Sequence, residues 1–199
     1  MALLLANTRR KLKSQGLPAV WFLTDETRDG DAAAAVMALP RGSAVILRHY
    51  GAANRVAFAR DMAARCRARG LLFLVAGDWR LAAAVNADGL HLPEYAAARG
   101  PSSPARLWLR GRVLTAAAHG ARGLARAHDI GACAATLAPV FPTRSHPGRT
   151  ALGLSRAGAW VRGARLPVLA LGGASPHKLP HARAAGFSGI AGIGFALKR

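Results

Sequence analysis

Eight short apolar runs, each closed by glycine, proline or polar residues, constrain this chain more than any other feature in it. They are AVWFLT at 19–24, SAVILR at 43–48, LLFLV at 71–75, GLHL at 89–92, a run within Leu107–Ala117, a run rising from Gly131, LPVLAL from Leu166, and GIAGIGFAL at 189–197. Continuous apolar runs of this length suit strands covered on both faces, as in a parallel sheet. Segments of helical character separate them. Repeated strand–helix alternation predicts an α/β fold, a single-domain TIM (β/α)8 barrel. At 199 residues the chain is short for that architecture, so brief helices and tight loops are expected.

The helical segments have readable ends. An alanine-rich helix runs to Leu39 and is stopped by Pro40. Residues 53–69 form a basic helix with Gly70 as a C-cap. Further helices are expected over 79–86, up to Ala127, and through Arg156 and Arg162, with a Gly/Pro/Ser loop over 99–106. Residues 1–18 read as a lead-in and 19–199 as the barrel. The lead-in places apolar MALLLA before basic Arg9, Arg10, Lys11 and Lys13, the reverse of a secretory signal. No apolar run reaches the ~20 residues that cross a bilayer.

The formal net charge is +19. Its arginines are scattered over every segment and carry no nucleic-acid motif or aromatic stacking pattern, so no specific nucleic-acid partner and no membrane is expected. Cys66 and Cys133 are far apart, lie in apolar segments, and read as reduced, buried thiols of a cytoplasmic protein. Four of the nine acidic residues, Asp25, Glu26, Asp29 and Asp31, crowd just after the first run. They suit either helix capping or a cation site.

The richest polar stretch is Leu137–Gly148, LAPVFPTRSHPG. Thr143, Arg144, Ser145 and His146 offer two hydroxyls and two cations just past a buried strand, which makes an anion cradle. LPVLALGGAS brings Gly172 and Gly173 to the end of the next strand, with Ser175 placed to cap a helix. His177 and His181 stand four apart, the spacing of one helix face, but Pro180 lies between them and no third zinc ligand is evident.

These stretches carry a family resemblance. LAPVFPTRSHPG resembles the GPVFPT-x-TKPG loop of thiamine phosphate synthases and their TenI-type relatives. LPVLALGGAS is similar to PVVAIGGI, ADGLHLPE at 87–94 to ADGVHLGQ, and LTDE at 23–26 to the first-strand signature. The resemblance covers nearly the whole chain and implies a TIM barrel acting on small phosphorylated thiazole and pyrimidine substrates. It implies phosphate or substrate contacts at Arg48, Thr143, Ser145, His146, Gly172, Gly173, Ile193 and Gly194. It also implies a magnesium aspartate at Asp78 and an acid–base histidine at His119, a role imidazole suits because it titrates near neutrality.

The departures from the family pattern cluster. Ile46 and Tyr50 replace a glutamine and a lysine that help hold pyrophosphate, Gly77 replaces an asparagine, and Ala96 stands at the second magnesium aspartate. Asp25 or Glu94 would have to substitute there. In the phosphate loop Ser145 replaces threonine, His146 replaces lysine and Gly194 replaces serine, while Ala117 replaces the serine of S-x-H. The resemblance thus implies either a synthase-like transferase that couples thiazole phosphate to the pyrimidine pyrophosphate with Mg2+, or a metal-free thiazole tautomerase. The alternative is a non-catalytic barrel that binds a phosphorylated ligand or regulates a partner.

Overall fold

The computed structural model describes residues 16–27, 32–143 and 150–193. Eight parallel strands follow one another in chain order as a closed barrel. They are β1 Val20–Leu23, β2 Ala44–Leu47, β3 Leu72–Ala76, β4 Gly89–Leu92, β5 Val113–Ala118, β6 Ala134–Leu137, β7 Val168–Leu171 and β8 Gly189–Gly192. The helices are α1 Ala32–Ala38, α2 Arg55–Arg69, α3 Trp79–Ala84, α4 Glu94–Ala97, α5 Ser103–Trp108, α6 Ala121–Asp129, α7 Gly153–Arg162 and α8 Leu179–Ala184, with a 3-10 turn over Pro176–Lys178 before α8. The expected (β/α)8 barrel is the observed fold. Every residue of β2, β4, β6 and β8 is buried, which is why the strands read as continuous apolar runs rather than alternating ones.

Contacts divide the chain into two compact units. The first comprises the chain up to His91, the segment Ser102–Val113, and Ile193 onward. Its register pairs Phe22 with Val45 and Val45 with Phe73, and buries Trp21, Phe22, Ile46, Leu47 and Leu74 completely. Each such side chain contributes about 1.5–3 kcal/mol by leaving water. The α2 helix buries Ala59, Met62 and Cys66 and ends as expected at Gly70, whose left-handed backbone lets its N–H reach the Arg67 carbonyl. Burial, with the Asp88 charge adding, pushes the Cys66 thiol up to about 12. Gly89 is obligatory: a Cβ there would lie against the Val113 carbonyl.

The second unit comprises Leu92–Pro101 and Leu114–Gly192. Its strand pairs align Ala118 with Leu137, Leu137 with Ala170, and Ala170 with Ile190. Alanines supply much of its buried surface, with Leu137, Leu169 and Ile190 as its largest fully buried side chains and Phe187 and Leu124 nearly so.

Several boundaries differ from expectation. The α5 helix occupies residues expected to be a loop. Pro104 sits in its first turn, where a missing N–H costs nothing, and Arg106 N–H donates to the Ser102 carbonyl at 2.8 Å. β6 starts at Ala134 because Gly131 takes a left-handed φ of 77° and still belongs to the end of α6. Cys133 is half-buried rather than buried, and both cysteines are free.

Candidate functional site

In the first unit the site-class side chains lie just after strand ends, and each is tied to a neighbour. Thr24 follows β1. Its hydroxyl accepts the Arg48 N–H at 3.0 Å and meets His49 Nδ1 at 2.8 Å, which fixes the end of β2 against β1. Asp25 accepts from the Thr27 N–H and hydroxyl and lies 3.6 Å from Arg48 Nη2. Glu26 accepts the Gly51 N–H at 3.2 Å. The acids expected to cap a helix or hold a cation thus brace the β1 and β2 loops. Asp29 and Asp31 lie outside the described residues.

Asp78 follows β3 and is the N-cap of α3, where Oδ1 accepts the Leu81 N–H at 3.0 Å. Its Oδ2 lies 3.4 Å from Arg55 Nη1. Arg55 also donates to the Ala76 carbonyl at 3.0 Å and lies over the Tyr50 ring at 5.4 Å. Gly77 has a φ of 73°, a conformation that glycine and asparagine adopt most readily, so the asparagine-to-glycine change suits the backbone. Ile46 is fully buried. His91 on β4 is buried as well. Burial, with the Arg48 charge adding, pushes its imidazole down to about 3, so it stays neutral near pH 7.

The second unit holds a different arrangement. Glu94 opens α4 just after β4, and His119 follows β5. The carboxylate grips the histidine at two points: Oε2 is 2.7 Å from His119 Nδ1, and Oε1 accepts the His119 backbone N–H at 3.1 Å. Burial would raise the Glu94 carboxyl. The His119 hydrogen bonds and the His119 and Arg126 charges outweigh it and hold the group below its ordinary value. His119 remains about half exposed, at 48%.

Gly172 and Gly173 follow β7 with φ of 88° and 59°. Side chains there would collide with Pro139 and with the Pro142 carbonyl respectively. Backbone bonds join this turn to the segment after β6, Val140 N–H to Leu171 O at 2.9 Å and Phe141 N–H to Gly172 O at 3.0 Å. Thr143, half-buried, ends the described part of that segment. Lys178 closes over the turn: its ammonium donates to the Gly173 carbonyl at 2.7 Å and sits 4.7 Å from the Phe141 ring.

The barrel and the order of its strand-end segments are those of a known family. The model of that family, described as thiamine monophosphate synthase, matches residues 20–195. The chain belongs to this family. It is 35% identical over 145 residues to a thiamine-phosphate synthase of Parasynechococcus marenigrum, a match spanning 71% of this chain and 40% of that protein's length. It is 30% identical over 180 residues to the thiamine-phosphate synthase of Chlorobium phaeobacteroides, covering 88% of this chain and 86% of the relative. Among solved structures, thiamine phosphate pyrophosphorylase from Pyrococcus furiosus superposes with a TM-score of 0.73 at 24% identity, over 88% of this chain and 85% of that one, which establishes the shared fold.

The magnesium expected of a thiamine monophosphate synthase needs oxygen ligands, usually carboxylates. Asp78, the matching carboxylate, has both oxygens engaged by Leu81 and Arg55. The second position is Ala96, which offers no donor. Asp25 is paired with Arg48 and Glu94 with His119. Among the described residues no three His, Cys, Asp or Glu side chains form a metal-binding group. Among the described residues, the donor set does not fit magnesium.

Of the residues expected to contact phosphate, Thr143, Gly172 and Gly173 fall in the second unit, and Arg48 and Ile193 in the first. Arg144, Ser145, His146 and Gly194 lie outside the described residues. Ser175 takes the N-cap place of the 3-10 turn without a side-chain bond to it. His177 and His181, spaced for one helix face, fall on two elements, the turn and α8, because the helix begins only at Leu179. Sequence reading missed two residues, Arg55 and Lys178, and the pairing of Glu94 with His119. For Glu94 a signal existed: it is the only acid between Asp88 and Asp129, and it directly follows a strand.

Proposed function

We propose that this chain is a thiamine-biosynthesis enzyme that handles thiazole phosphate and tautomerises it without a metal, rather than coupling it to the pyrimidine pyrophosphate. Family membership supports the pathway. The observation that carries the reading is the contrast between two candidate groups. His119 is half exposed and backed by a carboxylate, whereas Asp78 is held by a guanidinium and a helix terminus.

Tautomerisation needs only an anchor for the phosphate and a group that moves one proton. The N–H groups of Gly172 and Gly173 and the Thr143 hydroxyl are the proposed anchors, with the Lys178 ammonium as the neighbouring cation. Lys178 takes over the charge that the family places at the position of His146. His119 then removes a proton from a ring-bonded carbon. The C–H electron pair enters the conjugated system, and the same imidazole returns the proton to a second atom of that system. Atoms and charge balance with no co-reactant.

The test is to incubate the protein with thiazole phosphate in deuterated buffer containing a chelator and to follow isotope exchange and isomer ratio by NMR. A parallel reaction contains both thiamine halves and saturating Mg2+. Metal-independent exchange that His119→Ala abolishes supports the proposal. Efficient coupling (~1 per second or faster) that Asp78→Ala abolishes overturns it in favour of the synthase reaction. Ligand binding without turnover in either assay overturns it in favour of a binding role.

A further inference from the structure

We infer that Glu94 is a positioning residue that fixes the tautomer of His119, leaving Nε2 as the atom that exchanges the proton. The inference deepens the proposed acid–base role of His119 and rests on it for its catalytic consequence, but its structural half stands alone.

The geometry is a two-point clasp. A carboxylate oxygen 2.7 Å from Nδ1 is a charge-assisted hydrogen bond, and an ionised carboxylate can only accept, so the proton resides on Nδ1. The other oxygen accepts the backbone N–H of the same residue, which holds the carboxylate in one orientation relative to the ring. Carboxyls that accept two such bonds stay ionised, in keeping with the direction in which the Glu94 group is displaced.

The clasp is also seated by its surroundings. Gly123 on α6 leaves room for the carboxylate: a Cβ there would come within 2.7 Å of Glu94 Oε1. Arg126, one turn further along the same helix, adds positive charge. Nδ1 is thus committed to the protein, on the half-exposed ring of a residue at a strand's C-terminal end, where substrates meet a (β/α)8 barrel. Nε2 enters the neutral state as a base. When it takes a proton, the imidazolium is stabilised by the adjacent carboxylate, as in carboxylate–histidine pairs generally.

The inference also explains why Glu94 does not replace a lost magnesium ligand. Turning to a cation would break both bonds to His119.

The experiment uses the full chain with 15N-labelled histidine, with the His119 signals assigned by their loss in His119→Gln. At a pH where the imidazole is neutral, the native protein is expected to show His119 as the Nδ1–H form. Glu94→Ala is expected to relax it to the Nε2–H form that free imidazole prefers. In the tautomerase assay Glu94→Ala is expected to lower kcat by about 10²-fold with KM unchanged. Glu94→Gln, which keeps an acceptor oxygen and the volume, is expected to fall between the two, and circular dichroism checks that both variants fold. An Nε2–H form in the native protein, or a tautomer unchanged in Glu94→Ala, overturns the inference whatever the enzyme does. A changed tautomer with unchanged kcat overturns its catalytic half. The expected tautomers with no turnover in the native protein uphold the clasp and remove the proposed reaction instead.

Discussion

The two compact units differ in what they do with their charged groups. In the first, each described acid of the candidate site is bound to a neighbour that holds the fold: Asp25 to Arg48 and Thr27, Glu26 to Gly51, Asp78 to Arg55 and the start of α3. In the second, Glu94 grips the His119 imidazole at Nδ1, and the glycine turn presents backbone rather than side chains. On the proposed reading, sharing a barrel does not spread a function evenly around it. In a chain with nine acids and a net charge of +19, a carboxylate beside an arginine becomes structural unless something stronger claims it.

The largest expected effect that would sharpen this contrast comes from Gly173→Val. A left-handed backbone combined with a Cβ against the Pro142 carbonyl should cost about 2–4 kcal/mol of stability and abolish thiazole phosphate binding, read by thermal melting and calorimetry. A stable variant that binds normally would show that the turn is not the anchor.

Acid comes next, and it acts first through His91. The native state keeps that imidazole deprotonated down to about 3, while the unfolded chain binds a proton near the ordinary value of 6.5. Unfolding therefore takes up a proton anywhere between those values. This contribution to stability is present above pH 6.5 and is lost as pH falls toward 3, with a slope of ~1.4 kcal/mol per pH unit from this one group. Denaturant midpoints across that range should show the slope, and His91→Gln should flatten it. An unchanged slope would place the acid sensitivity elsewhere.

Lys178→Met is expected to weaken binding of inorganic phosphate and thiazole phosphate about fivefold, ~1 kcal/mol, and to reduce the salt dependence of both. Equal affinity in titration calorimetry would remove Lys178 from the site.

The smallest effect separates cap from ligand. Asp78→Ala should lose about 0.5–1 kcal/mol through the missing N-cap, and Asp78→Asn should recover most of it, since asparagine caps as well. Magnesium should leave the melting temperature of all three proteins unchanged. A magnesium-dependent rise in the native protein that Asp78→Asn abolishes would break the comparison and restore the first unit to the chemistry.

Most of the fold was legible because strands buried on both faces leave an unambiguous mark. Gly89–Leu92 was read to the residue, and Ala44–Leu47 and Leu72–Ala76 to within one at each end. The α5 helix was not, since Ser and Pro at 102–104 signal a loop and a helix start alike. In the candidate site, a local motif marks His119, Gly172 and Gly173 singly in the sequence. The partnerships were not legible there. Nothing in the spacing of Arg55 and Asp78, or of Glu94 and His119, announces a contact, because strand-end neighbours come from different loops. The acid cluster at 25–31 suits capping or a cation when read in sequence; in the structure Asp25 and Glu26 turn to Arg48 and Gly51 on the next loop, and Asp29 and Asp31 lie outside the described residues.

The boundary between the two units has a consequence for ancestry. The segment Leu92–Pro101, which carries Glu94, groups with Leu114–Gly192 and not with the strand that precedes it. Codons 92 to 192 run through both of these segments, with Ser102–Val113 of the first unit between them, and encode Glu94, His119, Thr143, the glycine turn and Lys178. A gene segment exchanged over that span would carry all of these residues together, whereas Asp25, Arg48, Arg55 and Asp78 would stay behind with the first unit.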